Sequence, residues 1–370
     1  MPKLLMITGL GSARDLASGK KGAFYNTLEE FHKYWDRVDI ICPRVDEKLK
    51  VQSLFGNVYL HISPWPLFFQ PLFFIRKILE LHKKINFDLM TVHEFPPFYN
   101  GIGARLLWQK IKVPYVLEVM HIPGYPKAGN LKEYVYRILT KYFIKIDSSK
   151  AKAVRVINKK ETPDFLVKAG VPRHKLVYIP AFYVDLDIFK PTDVVKEYDL
   201  IFVGRLAENK GINLFLEAVK LLVKDYQLPV RALIVGDGPL KKDIKLKVEN
   251  WKLKIDEYGW AKDQKEVAGL LNRSKILVMP SYNEGGPRVV IEAMACGVPV
   301  LATSVGLVPD LGSVVVKIDW NSEDIAKKAK FVLGDHLEYM RLKQEGLDVV
   351  RQFEKKVAIK NYAEKLKNLL

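Results

Sequence analysis

A chain of 370 residues, 49% of them apolar, is long for a single hydrophobic core and reads as two domains of similar size. Its two cysteines, Cys42 and Cys296, sit in apolar settings and read as reduced core residues, which excludes a disulfide framework or structural zinc, and no run of about 18 apolar residues offers a membrane span. The net charge of +17 is uneven: residues 1–182 carry 29 Lys and Arg against 15 Asp and Glu, so the basic surplus lies in the first half.

The first predicted strand is KLLMIT at 3–8, and the loop after it, GLGSARDLASGKKGAF at 9–24, holds four glycines. Its opening lacks a dinucleotide fingerprint: Arg14 stands where the third glycine belongs, and the next strand, RVDIICP at 37–43, closes without an acidic residue. The Gly19-Lys20-Lys21-Gly22 stretch reads by itself as a mobile basic surface loop. Strands follow at 57–62, 88–93, 114–119 and 153–158, and two histidines, His93 and His121, stand at strand ends. Between them, PWPLFFQPLFFIRK at 64–77 is an aromatic cluster ending in cations. LKEYVYRILTKYFIKI at 131–146 sets Arg137, Lys141 and Lys145 four apart, beside Tyr134, Ile138, Leu139, Tyr142, Phe143 and Ile146. That is the pattern of a helix lying on an anionic bilayer, and also of a core-facing helix with a solvated basic side.

Prolines and charges break the periodicity at 177–194, which sets the domain boundary near Ala181, with domains at 1–182 and 183–353. The second half predicts strands at 199–204, 231–236, 255–260, 275–280, 299–303 and 313–318. From 353 on, Val357, Tyr362, Leu366 and Leu369 are spaced as on an amphipathic helix. Six strands in each half, alternating with helices, predict an α/β protein of two Rossmann-like domains.

Two segments of the second half carry the chemistry. In IFVGRLAENKGINLFLEAV at 201–219, a strand ends at Gly204 and a helix begins near Gly211, with Arg205 and Lys210 between them. Two cations at a helix N-terminus suit a diphosphate. In EGGPRVVIE at 284–292, the spacing puts Glu284 in a glycine-rich loop after the KILVMP strand and Glu292 two turns into the following helix, both at the carboxyl end of a parallel sheet.

The whole segment SYNEGGPRVVIEAMACGVPVLATSVG resembles the nucleotide-sugar site of family 4 retaining glycosyltransferases, enzymes of the GT-B fold. The resemblance implies two Rossmann-like domains whose parallel sheets face a central cleft, with a final helix, about 354–370, crossing back to the first domain. By the same resemblance Glu284 contacts the donor sugar hydroxyls, Glu292 the ribose, and Arg205 and Lys210 the diphosphate, with Gly285, Gly286 and Arg288 completing the donor loop. Gly236, Gly238 and Trp260 follow as base-site candidates, and Gly22 as part of a glycine loop approaching the donor phosphates. His121 matches a functional histidine that binds the acceptor or the sugar. This chain departs from the pattern at Ala181-Phe182-Tyr183-Val184-Asp185, where relatives usually carry Asn-Gly before Val-Asp, and at Asn158-Lys159-Lys160, where many carry Ser-Glu.

The expected activity is transfer of a hexose from a nucleoside diphosphate sugar to a sugar, lipid or lipid-linked acceptor, with retention. No cofactor or metal is expected, because the one Asp-x-Asp match, Asp185-Leu186-Asp187, lies at the hinge. A sugar phosphorylase, a nucleotide-sugar epimerase and a non-catalytic nucleotide- or RNA-binding protein are the alternatives. The absence of zinc-finger or RNP-type motifs ranks nucleic acid low. The protein is expected in the cytoplasm, with the basic first domain on the inner face of the cell membrane.

Overall fold

The computed structural model describes residues 1–45 and 51–370. In chain order the first part contains β1 (Lys3–Ile7), α1 (Leu10–Ala17), α2 (Ala23–Phe31), β2 (Arg37–Cys42), β3 (Ser53–Leu54), β4 (Val58–Ile62), α3 (Gln70–His82) and β5 (Leu89–His93). It continues with α4 (Tyr99–Ile111), β6 (Tyr115–Val119), α5 (Leu131–Asp147), β7 (Ala153–Val156), α6 (Glu161–Lys168) and β8 (Leu176–Tyr178). The second part contains β9 (Tyr198–Val203), α7 (Ile212–Lys224), β10 (Ala232–Val235), α8 (Lys241–Trp251), β11 (Ile255–Tyr258), α9 (Gln264–Asn272) and β12 (Ser274–Met279). After these come α10 (Arg288–Ala295), β13 (Val300–Thr303), β14 (Val315–Ile318), α11 (Ser322–Gly334), α12 (His336–Val350) and α13 (Lys355–Lys367).

These elements form two Rossmann-like domains, each on its own sheet. The first sheet runs β3-β4-β2-β1-β5-β6-β7-β8 and the second β11-β10-β9-β12-β13-β14. All pairings are parallel except β3 with β4. Each strand predicted from the apolar runs is present. The two further ones, β3 and β8, are two and three residues long at the sheet edges, too short for a periodicity to register.

The chain divides into a unit of Met1–Ile122, Tyr136–Ala181 and Lys356–Leu370 and a unit of Pro123–Val135 and Phe182–Lys355. The stretch Pro123–Val135 thus belongs with the second unit, although its sequence neighbourhood assigns it to residues 1–182. The helical periodicity of 131–146 runs unbroken through Val135 and conceals the change.

In both sheets strand order reverses beside the first strand of the domain, between β1 and β5 and between β9 and β12. Loops leaving the carboxyl ends of such neighbours diverge to opposite faces and open a crevice, the usual ligand site of a doubly wound sheet. The second crevice is held rigidly by its core. Helix α7 buries Ile212, Phe215, Leu216, Val219 and Leu222, a helical stripe, in one apolar cluster with Leu200 and Phe202 of β9 and Ile276 and Val278 of β12. Each such side chain contributes about 1.5–3 kcal/mol when taken fully from water.

Candidate functional site

At the second crevice, β9 gives way to Gly204 and Arg205, then to a single 3₁₀ turn, Glu208–Lys210, and Gly211 starts α7 with φ +68°. Only glycine fits there. A Cβ on Gly211 would lie 2.0 Å from the Pro280 carbonyl oxygen, so this loop presses directly on the exit of β12. A second tie is the Tyr282 amide, which donates to the Asn209 carbonyl at 2.8 Å.

Between these ties, Lys210 Nζ donates to Glu284 Oε1 at 2.5 Å, and Ser281 Oγ donates to the same oxygen at 2.9 Å. Lysine and glutamate are 26% and 15% exposed, so the ion pair is partly desolvated and still reachable from solvent. The Ser281 carbonyl accepts the Thr303 hydroxyl at 2.6 Å and the Trp320 indole at 2.9 Å, which fixes the loop's first residue to β13 and to the chain after β14. Arg205 is exposed and makes no ion pair among the described residues.

The second glutamate stands closer to its helix start than the spacing suggests. Helix α10 begins at Arg288, so Glu292 lies little more than one turn in, not two, because Pro287 is itself extended and keeps the residues before Arg288 out of the helix. Burial raises the Glu292 carboxyl above its ordinary pKa, against the pull of Arg288. Arg288 lies with its guanidinium 5.0 Å from the Tyr183 ring centroid and keeps a buried Nε without a hydrogen-bond partner. Gly286 is held against Phe182, whose ring would meet a Cβ at 2.2 Å, and the Gly285 carbonyl would meet one on Gly306 at 2.5 Å. The aromatic Phe182, within the stretch 181–185 singled out in the sequence, therefore packs on the glycine of the loop after β12.

Gly236 and Gly238 have a packing reason of their own. Gly236 takes φ +144°, and a Cβ there would sit 1.9 Å from the Gly204 carbonyl oxygen; one on Gly238 would sit 2.4 Å from that of Leu206. The loop after β10 thus lies against the loop after β9, tied by the Leu206 amide to the Asp237 carbonyl at 3.0 Å. A pocket of about 610 Å³ opens beside them, walled by Leu206, Gly236, Lys241, Asp256, Tyr258 and Gly259. Trp260 is 61% exposed and does not line it.

In the first unit, Gly22 is exposed at the start of α2 with open space around it, and His121 is half-buried two residues past β6. The histidine at the switch point of the first sheet is His93: a Cβ on Gly9, just after β1, would lie 2.6 Å from its Nδ1. Burial lowers the pKa of His93. Sequence reasoning passed over Ser281 and Asn283, whose only signal is their place between β12 and Glu284.

Residues 185–349 match the family model described as glycosyl transferases group 1. An uncharacterized glycosyltransferase of Methanocaldococcus jannaschii is 26% identical over 72% of this chain and 70% of its own length. An Escherichia coli protein named UDP-Gal:alpha-D-GlcNAc-diphosphoundecaprenol alpha-1,3-galactosyltransferase is 27% identical over 62% of this chain and 60% of its own. The solved structure of sucrose-phosphate synthase from Thermosynechococcus elongatus superimposes with a TM-score of 0.81 at 18% identity, covering 100% of this chain and 99% of that one. That likeness gives the two-domain GT-B fold.

Proposed function

We propose that this chain, whose residues 185–349 match the glycosyl transferases group 1 model, is a glycosyltransferase that moves a hexose from a nucleoside diphosphate sugar to an acceptor hydroxyl with retention of configuration and without a metal. The observation that carries the reading is the Lys210–Glu284 pair at the switch point of the second sheet. Each partner neutralises the other in the absence of donor. A bound donor offers each a replacement: the diphosphate takes the ammonium of Lys210, and the sugar hydroxyls take the carboxylate of Glu284.

Catalysis then rests on charge. As the bond from the anomeric carbon to the phosphate oxygen breaks, negative charge grows on the diphosphate, next to Lys210, the nearby Arg205 and the N-terminus of α7. These groups supply the positive charge that a metal supplies in other transferases. The acceptor oxygen bonds to the anomeric carbon on the face the diphosphate leaves, and its proton passes to the departing phosphate oxygen. Glu292 and Arg288 serve the ribose side, the pocket beside Gly236 and Gly238 the base, with Trp260 at its margin, and Gly22 and His121 the phosphate and acceptor sides.

For the acceptor, the name of the Escherichia coli relative points to a diphosphoundecaprenol-linked sugar, and the first unit suits such a substrate. Phe68 is 86%, Leu72 61%, Ile138 53% and Tyr142 66% exposed, a set of large apolar side chains that a water-facing surface does not need. Helix α5 buries only Thr140, Ile144 and Asp147 and carries Arg137, Lys141 and Lys145 besides. The reading is therefore a lipid-linked acceptor met at the anionic, cytoplasmic face of a membrane.

The test is incubation with a panel of nucleotide sugars, with and without lipid-linked or free sugar acceptors, reading released nucleoside diphosphate. Turnover of one donor is expected, surviving a chelator, and Lys210→Ala is expected to lower kcat by about 10²–10³-fold, the usual effect of removing one preorganised charge-stabilising donor. Near wild-type turnover in that variant would remove Lys210 from the mechanism.

A further inference from the structure

The stretch Pro123–Val135 joins β6 to the body of α5 in the chain, yet it is part of the second unit, where it rests on both donor loops. Asn283 is 1% exposed, and its Nδ2 donates to the Lys127 carbonyl at 3.0 Å and to Glu133 Oε2 at 2.8 Å. The same Glu133 oxygen accepts the Gly129 amide at 2.8 Å, so one carboxylate binds the strap to itself and to the loop after β12. Gly129 lies against the other loop: a Cβ there would stand 3.0 Å from Asn209 Cα. Lys127 Nζ stands 4.7 Å from the ring centroid of Tyr282 and 5.0 Å from that of Trp320. Asn209 and Asn283 directly precede Lys210 and Glu284.

We propose that Pro123–Val135 is a latch whose Asn283, Glu133 and Lys127 contacts are positioning interactions that hold Lys210 and Glu284 in donor-binding register. The proposal rests on the donor reading of those two residues. When a diphosphate draws Lys210 from Glu284, the direct ion pair between the loops is gone while both must keep their places. The strap spans them at the adjoining residues, and its own bonds are untouched by that exchange. Donor occupancy and strap docking therefore reinforce each other, since each restricts the same two loops.

The test combines hydrogen exchange with donor kinetics on the full chain, separately saturated with UDP, GDP, ADP and dTDP. The nucleotide that protects residues 204–212 and 281–292 is expected to protect 123–135 as well. Asn283→Asp sets a second carboxylate against Glu133 and is expected to raise the donor KM about tenfold with a smaller change in kcat. Adding Glu133→Gln, whose amide can donate to the new carboxylate, is expected to recover most of the loss, which a general loss of packing would not allow. Lys127→Met alters an exposed side chain, leaves folding intact and is expected to raise the donor KM by a few-fold. The latch is overturned if nucleotide protects the two loops and not the strap, or if the Asn283→Asp and Lys127→Met variants keep wild-type donor KM. Absence of protection at 204–212 with every nucleotide would overturn the donor reading, and the latch with it.

Discussion

Two carboxyls of the first unit, Glu94 and Asp147, converge on Gly101: a Cβ there would come within 2.1 Å of Glu94 Oε2 and 2.7 Å of the Asp147 Cβ. Both are buried, and among the described residues the Asp147 oxygens have no hydrogen-bond partner, while the Gly101 and Phe95 backbone lies near Glu94. Burial pushes the Asp147 carboxyl up to about 7, and burial together with the neighbouring Asp147 raises Glu94 well above the carboxylate range. A raised carboxyl favours the folded state while it is protonated. Its contribution is whole below the unfolded value of about 3.9, declines as pH rises from there, and is gone once pH passes about 7. Asp147→Asn is expected to raise the melting temperature at about pH 8, where the wild-type carboxyl is ionised, and to change it much less at about pH 5. A melting temperature indifferent to that substitution at high pH would contradict the assignment. At this scale the candidate site was legible: Arg205, Lys210, Glu284 and Glu292 stand out by type and spacing, and the structure pairs Lys210 with Glu284. Glu94 and Asp147 were not, because nothing in a linear sequence distinguishes a buried carboxyl from a solvated one.

Among the elements, α13 joins the first unit through one buried cation. Arg155 of β7 is 2% exposed; its Nη1 lies 2.5 Å from Glu118 Oε1 of β6, and its Nε and Nη2 donate to the Ile179 and Pro180 carbonyls at 3.0 and 2.9 Å. Tyr362 of α13 donates to the same Glu118 oxygen at 2.9 Å, lies under the guanidinium at 3.8 Å and stacks on Phe31 at 4.7 Å. Removing Arg155 strands a buried carboxylate, so Arg155→Ala is expected to cost about 3–5 kcal/mol in urea unfolding, whereas Tyr362→Phe, which leaves the ion pair whole, is expected to cost roughly 1 kcal/mol. Equal losses in the two variants would count against the network. Of the four residues whose spacing predicts this helix, Tyr362 and Leu366 are buried, whereas Val357 is exposed, Leu369 is half-buried past the helix end, and the buried face runs instead through Ala358, Ile359 and Ala363. The helix itself was legible. Its partner was not: Tyr362 meets a residue 244 positions earlier, and periodicity says which face is buried without saying against what.

Over the whole molecule, the charge excess of 14 in residues 1–182 meets exposed Phe68, Leu72, Ile138 and Tyr142 in the same part of the chain. Among the described residues no helix is long and apolar enough to cross a membrane. The protein is expected to sediment with vesicles containing anionic lipid and not with neutral ones, with binding that falls as salt rises, and Phe68→Ser with Leu72→Ser is expected to weaken it several-fold at fixed salt. Binding equal on neutral and anionic vesicles, or absent from both at low salt, would sink the membrane reading.

The linear sequence by itself determined the alternation of strands and helices, because a parallel strand covered on both faces must be apolar along its length and a covering helix must be apolar along one stripe. It also determined the chemical character of the candidate site, since cations after β9 and carboxylates after β12 declare themselves by residue type. Tertiary structure alone decided the rest. Strand order brings β9 beside β12 and so sets Lys210 on Glu284 across 74 residues. The close approach of loops makes Gly211, Gly236 and Gly238 backbone contacts. Burial decides that Asn283, one polar residue among many in a loop, anchors a strap from elsewhere in the chain. Each of these is a relation between distant residues, and local pattern records only which side of an element is buried.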